Sequence, residues 1–191
     1  MKIAIIDNYD SFVYNLVRYV KETYGVTEVR VMRNDAIDEE FLNASAGILL
    51  SPGPGIPSEA GELLRVIDRY STEKSVFGVC LGHQAIGEYF KGKLEKAPII
   101  YHGKSSIVQM ANDSKLFKGL SEQEPVGRYH SWQIAKKMPT CLKVTATDAA
   151  GNVMAFEHRE LPIMGVQFHP ESILTPNGRI IIKNWIETCT H

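Results

Sequence analysis

SVFGVCLGHQ, residues Ser75 to Gln84, decides how this chain is read. Ser75 to Val79 reads as a strand and Gly82 to Phe90 as a helix, so Cys80 stands where one becomes the other, flanked by Gly78 and Gly82. Cysteine is commonly a small buried hydrophobe. The pattern Gly78-x-Cys80-x-Gly82, however, has the form of a nucleophile elbow, a sharp strand-to-helix turn that strains its central residue and admits only glycine at the crowded flanks. A thiol at a helix N-terminus also meets the positive end of the macrodipole, which favours the nucleophilic thiolate.

Working outward from the elbow, strands and helices alternate. Ile3 to Ile6 is a β-branched run closed by Asp7-Asn8, and Phe12, Leu16, Tyr19 and Val20 then recur at helical spacing up to Gly25, the expected cap. Val29 to Met32 and Gly47 to Leu50 read as strands, and Leu63, Leu64, Ile67 and Tyr70 mark another helix. This alternation predicts an α/β fold, a flavodoxin-like parallel sheet with helices on both faces. Beyond residue 92 the texture changes: Ser105 to Met110, Leu142 to Thr147, Val153 to His158 and Ile163 to Phe168 are strand-like with turns between them, which predicts an antiparallel extension. Ile180 to Glu187 closes the chain as a helix. No repeat, low-complexity tract or linker divides it, so one domain over residues 1–191 is expected.

Composition narrows the function classes. The 21 Lys and Arg against 22 Asp and Glu give a formal charge of -1 with no basic cluster, so nucleic acid is not an expected partner. Three cysteines (Cys80, Cys141, Cys189) without a CxxC pair fit a reducing cytoplasm rather than a disulfide scaffold. The opening MKIAIIDNYDSF turns polar too soon for a signal peptide, and no run approaches the ~20 apolar residues of a membrane span. A soluble cytoplasmic protein with no membrane partner is expected.

A thiolate nucleophile needs a base. In GVQFHPES, His169 follows the apolar run Ile163 to Phe168, and Glu171 stands two residues on across Pro170, placed to accept the imidazole N–H and fix its tautomer. A third strand end carries SPGPG, Ser51 to Gly55. Pro52 and Pro54 remove two backbone donors and the P-loop lysine is missing, so a phosphate cradle is not expected, and a plain Pro/Gly turn is one reading of the loop. A rigid loop offering one or two N–H groups suits an oxyanion, with the N–H of Leu81 as the second donor. Two rivals are weaker. Asp7 and Asp10 suggest a phosphoacceptor pocket, but the third strand ends in Ser51-Pro52 instead of an aspartate. Cys80, His83 and His169 lack the close spacing of structural zinc ligands, so no metal site is expected.

SPGPG, GVCLGHQ and GVQFHPES together strongly resemble the class I (triad-type) glutamine amidotransferases. DNYDSF with Asn15 and Leu16, HGK at His102 to Lys104 and YHS at Tyr129 to Ser131 narrow the resemblance to the small subunits (component II) of anthranilate synthase and aminodeoxychorismate synthase. It spans Ile6 to Asn177. The resemblance implies that Cys80 is the nucleophile, His169 the general base and acid, and Glu171 its orienting partner. It also implies a glutamine pocket and oxyanion hole from Gly53, Pro54, Gly55 and Leu81, with Gln84 holding the α-amino acid end of the substrate and Ser131 and Trp132 contacting it through backbone groups. Two departures, Trp132 where an aliphatic residue is usual and Val13 where Thr is common, leave the triad untouched. In DNYDSF two readings stand: Asp10 or Ser11 caps the following helix, or the motif meets a partner subunit. An amidotransferase relative kept only for its interface is a further alternative, against which the intact triad argues.

The implied activity is hydrolysis of L-glutamine through a cysteinyl thioester. Ammonia would pass to a chorismate-binding synthase large subunit, in a heterodimer or heterotetramer, making anthranilate for tryptophan, aminodeoxychorismate for folate, or both. No cofactor is expected in this chain; magnesium and chorismate belong to the large subunit.

Overall fold

The computed structural model describes residues 1–190. The first half alternates as expected: β1 (Lys2–Asp7), α1 (Val13–Lys21), β2 (Glu28–Arg33), α2 (Glu39–Ala44), β3 (Gly47–Leu50), α3 (Leu63–Tyr70), β4 (Ser75–Val79) and α4 (Leu81–Tyr89). The second half is strand-rich, with β5 (Leu94–Lys96), β6 (Lys104–Met110), β7 (Gln123–Arg128), β8 (Trp132–Ile134), β9 (Leu142–Asp148), β10 (Val153–His158) and β11 (Ile163–Val166) before α5 (Gly178–Glu187).

Nine strands form one sheet in the order β2-β1-β3-β4-β11-β10-β9-β6-β7, and β5 pairs with β8 in a small separate one. β2, β1, β3, β4 and β11 run parallel. From β10 outward the pairing is antiparallel.

The central strands are continuous apolar runs because both faces are covered. Ile3 and Ile5 of β1 enter one layer with Leu16, Val20, Ile182 and Trp185, while Ala4 and Ile6 enter the other with Leu63, Ile67 and Ile86. Successive side chains on a strand point to opposite faces, so one short run serves two cores. α1 shows the helical counterpart: Val13, Leu16, Val17 and Val20, spaced for one face, are its buried residues.

Several details differ from the sequence expectations. α1 ends at Lys21, capped at Glu22, and Gly25 instead occupies a left-handed turn beyond it (φ 89°). Its N-cap is Phe12 with no side-chain hydrogen bond, so neither Asp10 nor Ser11 caps the helix. α2, β5, β7 and β8 were unanticipated; the first is a six-residue helix started by the Asp38 carboxylate accepting from the Phe41 N–H at 3.0 Å. β11, expected as antiparallel, pairs parallel with β4 and antiparallel with β10. It is the seam between the two halves, and that seam brings the end of β11 beside Cys80.

Candidate active site

Cys80 has φ 51° and ψ -101°, a sparsely populated conformation for a side chain-bearing residue, which costs of order 1–3 kcal/mol. Close packing enforces it. A Cβ on Gly78 would lie 2.4–2.6 Å from the Gly82 backbone and His83 nitrogen, and one on Gly82 would lie 2.4 Å from the Leu50 carbonyl oxygen. The turn from β4 into α4 thus has no room on either flank. Two backbone bonds hold it: the Cys80 N–H donates to the Val166 carbonyl at 2.9 Å, and the Gln84 N–H donates to the Cys80 carbonyl at 3.0 Å.

His169 follows β11 and is fixed by different means. Its N–H donates to the Gly127 carbonyl at 3.0 Å, and its carbonyl accepts from the Thr175 hydroxyl at 2.6 Å. Thr175 also accepts from the Gly127 N–H at 3.0 Å, so the end of β7 and the histidine loop are tied together twice. The imidazole Nδ1 lies 2.6 Å from Glu171 Oε1. Tyr129 packs edge-on against the ring at 4.8 Å and pairs with the Ser172 hydroxyl at 3.0 Å. Burial works to lower the His169 pKa, but the neighbouring Cys80 and Glu171 groups outweigh it and raise it well above 6.5. His169 Nε2 and Glu171 Oε2 are buried without hydrogen-bond partners among the described residues. The first is the nitrogen left for proton exchange.

Cys80, His169 and Glu171 share one cavity of about 600 Å³ with Gly53 and Pro54 of the SPGPG loop. That loop is bolted to DNYDSF: the Asn8 N–H donates to the Ser51 hydroxyl and the Asn8 side-chain amide to the Ser51 carbonyl, both at 2.8 Å. A Cβ on Gly53 would lie 2.3 Å from the Asn8 carbonyl oxygen and 3.0 Å from a Leu81 methyl, so only glycine fits there. Leu81 and Gln84 are buried on α4 outside the cavity lining, and Gly55, Ser131 and Trp132 do not line it either. Gln84 nevertheless reaches Trp132, its Nε2 donating to the Trp132 carbonyl at 2.8 Å.

Asp10 also lines the cavity. Its Oδ2 is buried without a partner, and burial first and the Glu171 charge second push its pKa up to about 6. The mouth is edged by exposed Tyr9, Phe12, Tyr129 and Ile173. His83, by contrast, is not in the cavity. It is fully buried on α4 against the Phe156 ring (4.4 Å between centroids), both its nitrogens lack partners, and burial drops its pKa to about 3.

The sequence reading missed Gln167, wholly buried with its Nε2 3.6 Å from Cys80 Sγ. The available signal was a lone polar residue inside the apolar run Ile163 to Phe168, since a buried amide must find partners. Thr175, which braces the histidine, carried no such signal, and Tyr129, which packs against its ring, stood out only as part of the YHS motif.

Residues 4–189 match the family model for class-I glutamine amidotransferases. The chain is 45% identical over 195 residues to anthranilate synthase component 2 of Mycobacterium tuberculosis, covering 99% of this chain and 83% of that one. It is 44% identical over 190 residues to the aminodeoxychorismate/anthranilate synthase component 2 of Bacillus subtilis, covering 97% and 96%. It is also 43% identical over 188 residues to the bifunctional protein TrpGD of Thermotoga maritima, of which it spans only 32%. Among solved structures, one from Thermoplasma acidophilum described as part of a GMP synthase superposes with a TM-score of 0.88 at 29% identity, covering 99% of this chain and 94% of that one. On the family model and the extent of these identities, the chain belongs to the class-I glutamine amidotransferases.

Proposed function

We propose that this chain, acting as one amidotransferase domain in the cytoplasm, hydrolyses L-glutamine and hands the ammonia to a chorismate-binding synthase subunit. The observation that carries the reading is the meeting of a strained cysteine, a histidine and a carboxylate in one cavity, with Nδ1 and Oε1 2.6 Å apart. Cys80 gives its thiol proton to His169, and Sγ attacks the side-chain amide carbon of glutamine, forming a C–S bond as the carbonyl π bond opens to the oxyanion. The N–H groups of Leu81 and of Gly53 or Gly55 in the SPGPG loop serve the oxyanion. The resemblance assigns the α-amino acid end to Gln84, Ser131 and Trp132, none of which lines the cavity. His169 gives a proton to the departing nitrogen, the C–N bond breaks, and ammonia leaves a glutamyl thioester. Water, losing a proton to His169, then attacks the thioester; the C–S bond breaks, releasing glutamate and returning the thiol. Glu171 holds the imidazole in the tautomer both steps need.

The exposed apolar rim of Tyr9, Phe12, Tyr129 and Ile173 supports docking of the synthase subunit over the mouth. Anthranilate is the product favoured by the component 2 relative from M. tuberculosis, and the dual name of the B. subtilis relative favours a second reading in which one chain serves both anthranilate and aminodeoxychorismate. Magnesium and chorismate would be held by the large subunit. In the reconstituted complex, Cys80→Ser should abolish glutamine-dependent synthesis while synthesis from ammonium survives; loss of both would make Cys80 structural. Glutamate release should rise when the large subunit is added, and undiminished activity of the lone chain would count against a donor role.

A further inference from the structure

The orientation of Gln167 is fixed by a chain of polarity that starts at a backbone carbonyl. The Trp132 carbonyl can only accept, so the Gln84 atom 2.8 Å from it must be the amide nitrogen. That nitrogen has a second hydrogen, which it gives to Gln167 Oε1 at 3.1 Å. An oxygen there turns the Gln167 NH2 the other way, towards Cys80 Sγ at 3.6 Å. Neither amide can flip without placing like against like inside the protein, where an unmet donor or acceptor costs ~1–3 kcal/mol. Both glutamines are buried, so water cannot substitute.

A donor aimed at sulfur discriminates between its protonation states, because thiolate is a strong acceptor and thiol a weak one. We propose that Gln167 is a catalytic residue of this site, its amide N–H stabilising the Cys80 thiolate before attack and again when sulfur leaves the thioester, with Gln84 as the positioning residue that keeps that N–H pointed. The proposal rests on the amidotransferase reading for its place in the reaction. It gives Gln84 an internal role, since both Nε2 hydrogens are committed and only Oε1 remains for a ligand.

The test uses alkylation by iodoacetamide, which needs thiolate but no glutamine. The full chain is alkylated from pH 6 to pH 10 and modification of Cys80 is followed by peptide mass spectrometry, with half-buried Cys141 as the internal reference. Gln167→Met, of similar volume and without a donor, should slow Cys80 alkylation about tenfold at pH 7 and match wild type by pH 10. Gln167→Glu, which sets a carboxylate beside the sulfur, should slow it at least as much at pH 7. Gln84→Met, which frees the Gln167 amide to turn, should slow it about threefold. Cys141 should react equally in all four proteins. Equal Cys80 rates at pH 7 in any folded Gln167 variant, or a slowing that persists unchanged to pH 10, would overturn the proposal. The outcome is separable from the function itself, which stands or falls with Cys80→Ser in the complex.

Discussion

The two halves of the sheet deliver their chemical groups with a different balance of packing and side-chain hydrogen bonds. The parallel half holds Cys80 by steric exclusion, with Gly78 backed onto Gly82 and Gly82 onto Leu50. The strand-rich half holds His169 by hydrogen bonds, through Glu171, Thr175 and the Gly127 backbone. A group placed by packing is indifferent to charge but intolerant of volume. A group placed by hydrogen bonds depends on polarity and protonation, as the carboxylate that raises His169 shows. The histidine loop is close-packed too: a Cβ on Gly178 would lie 1.8 Å from the Pro170 carbonyl oxygen.

The sharpest way to break the contrast is a methyl group at the elbow. Gly82→Ala would push a carbon into the Leu50 carbonyl, and we expect a loss of roughly 5 kcal/mol or failure to fold, measured by the urea midpoint. A midpoint within 1 kcal/mol of wild type, by the same order-of-magnitude scale, would mean that the turn is held some other way. On the other side, Glu171→Gln keeps the shape and removes the charge. Glutamine hydrolysis should fall about 10³-fold, equivalent to ~4 kcal/mol, while the urea midpoint barely moves. A large stability loss with retained turnover would reverse the assignment.

Two pH effects sharpen the comparison further. His83 lies in the packed half without a partner, and its native pKa near 3 means that between pH 6.5 and 3 the unfolded chain binds a proton the native chain refuses. Stability is therefore lost as pH falls through that window. His83→Leu should lose less stability on acidification, by about 3 kcal/mol at pH 4. Denaturation curves at pH 7 and pH 4 compare the two proteins, and parallel losses would refute it. Asp10 works the other way. Its carboxyl, raised to about 6, keeps a proton that the unfolded chain releases near 4, so its contribution falls as pH rises from about 4 to 6. Asp10→Asn should gain about 1 kcal/mol at pH 7.5, after allowing for solvent screening, and nothing below pH 4. Thermal melts at both pH values decide it.

What could be read beforehand follows the same division. β1, β3 and β4 were visible because strands buried on both faces must be apolar, and Gly78, Cys80 and Gly82 were visible because a steric constraint writes itself into neighbouring residues. β7 was hidden by Pro125 and by its polar ends, a composition tolerated only because it is the last strand of the sheet. β5 and β8 are three residues each, too short for any period to show. His169 and Glu171 were legible as a local pair in GVQFHPES, whereas Gln167 in the same motif showed only as a polar residue in an apolar run, since its partners Gln84 and Cys80 arrive from another element. The Asp10 carboxyl was legible only as a residue type. Its burial beside Glu171 belongs to the tertiary structure.

The bond between the His169 N–H and the Gly127 carbonyl joins the histidine loop to the outermost strand of the sheet. The Cys80 N–H reaches Val166, farther along the chain than His169 reaches Gly127, and Gly82 packs on Leu50, so during folding both elbow and base wait on contacts distant in sequence. A partly folded chain therefore carries neither a fixed nucleophile nor its proton carrier, and turnover should be the last property to return on refolding.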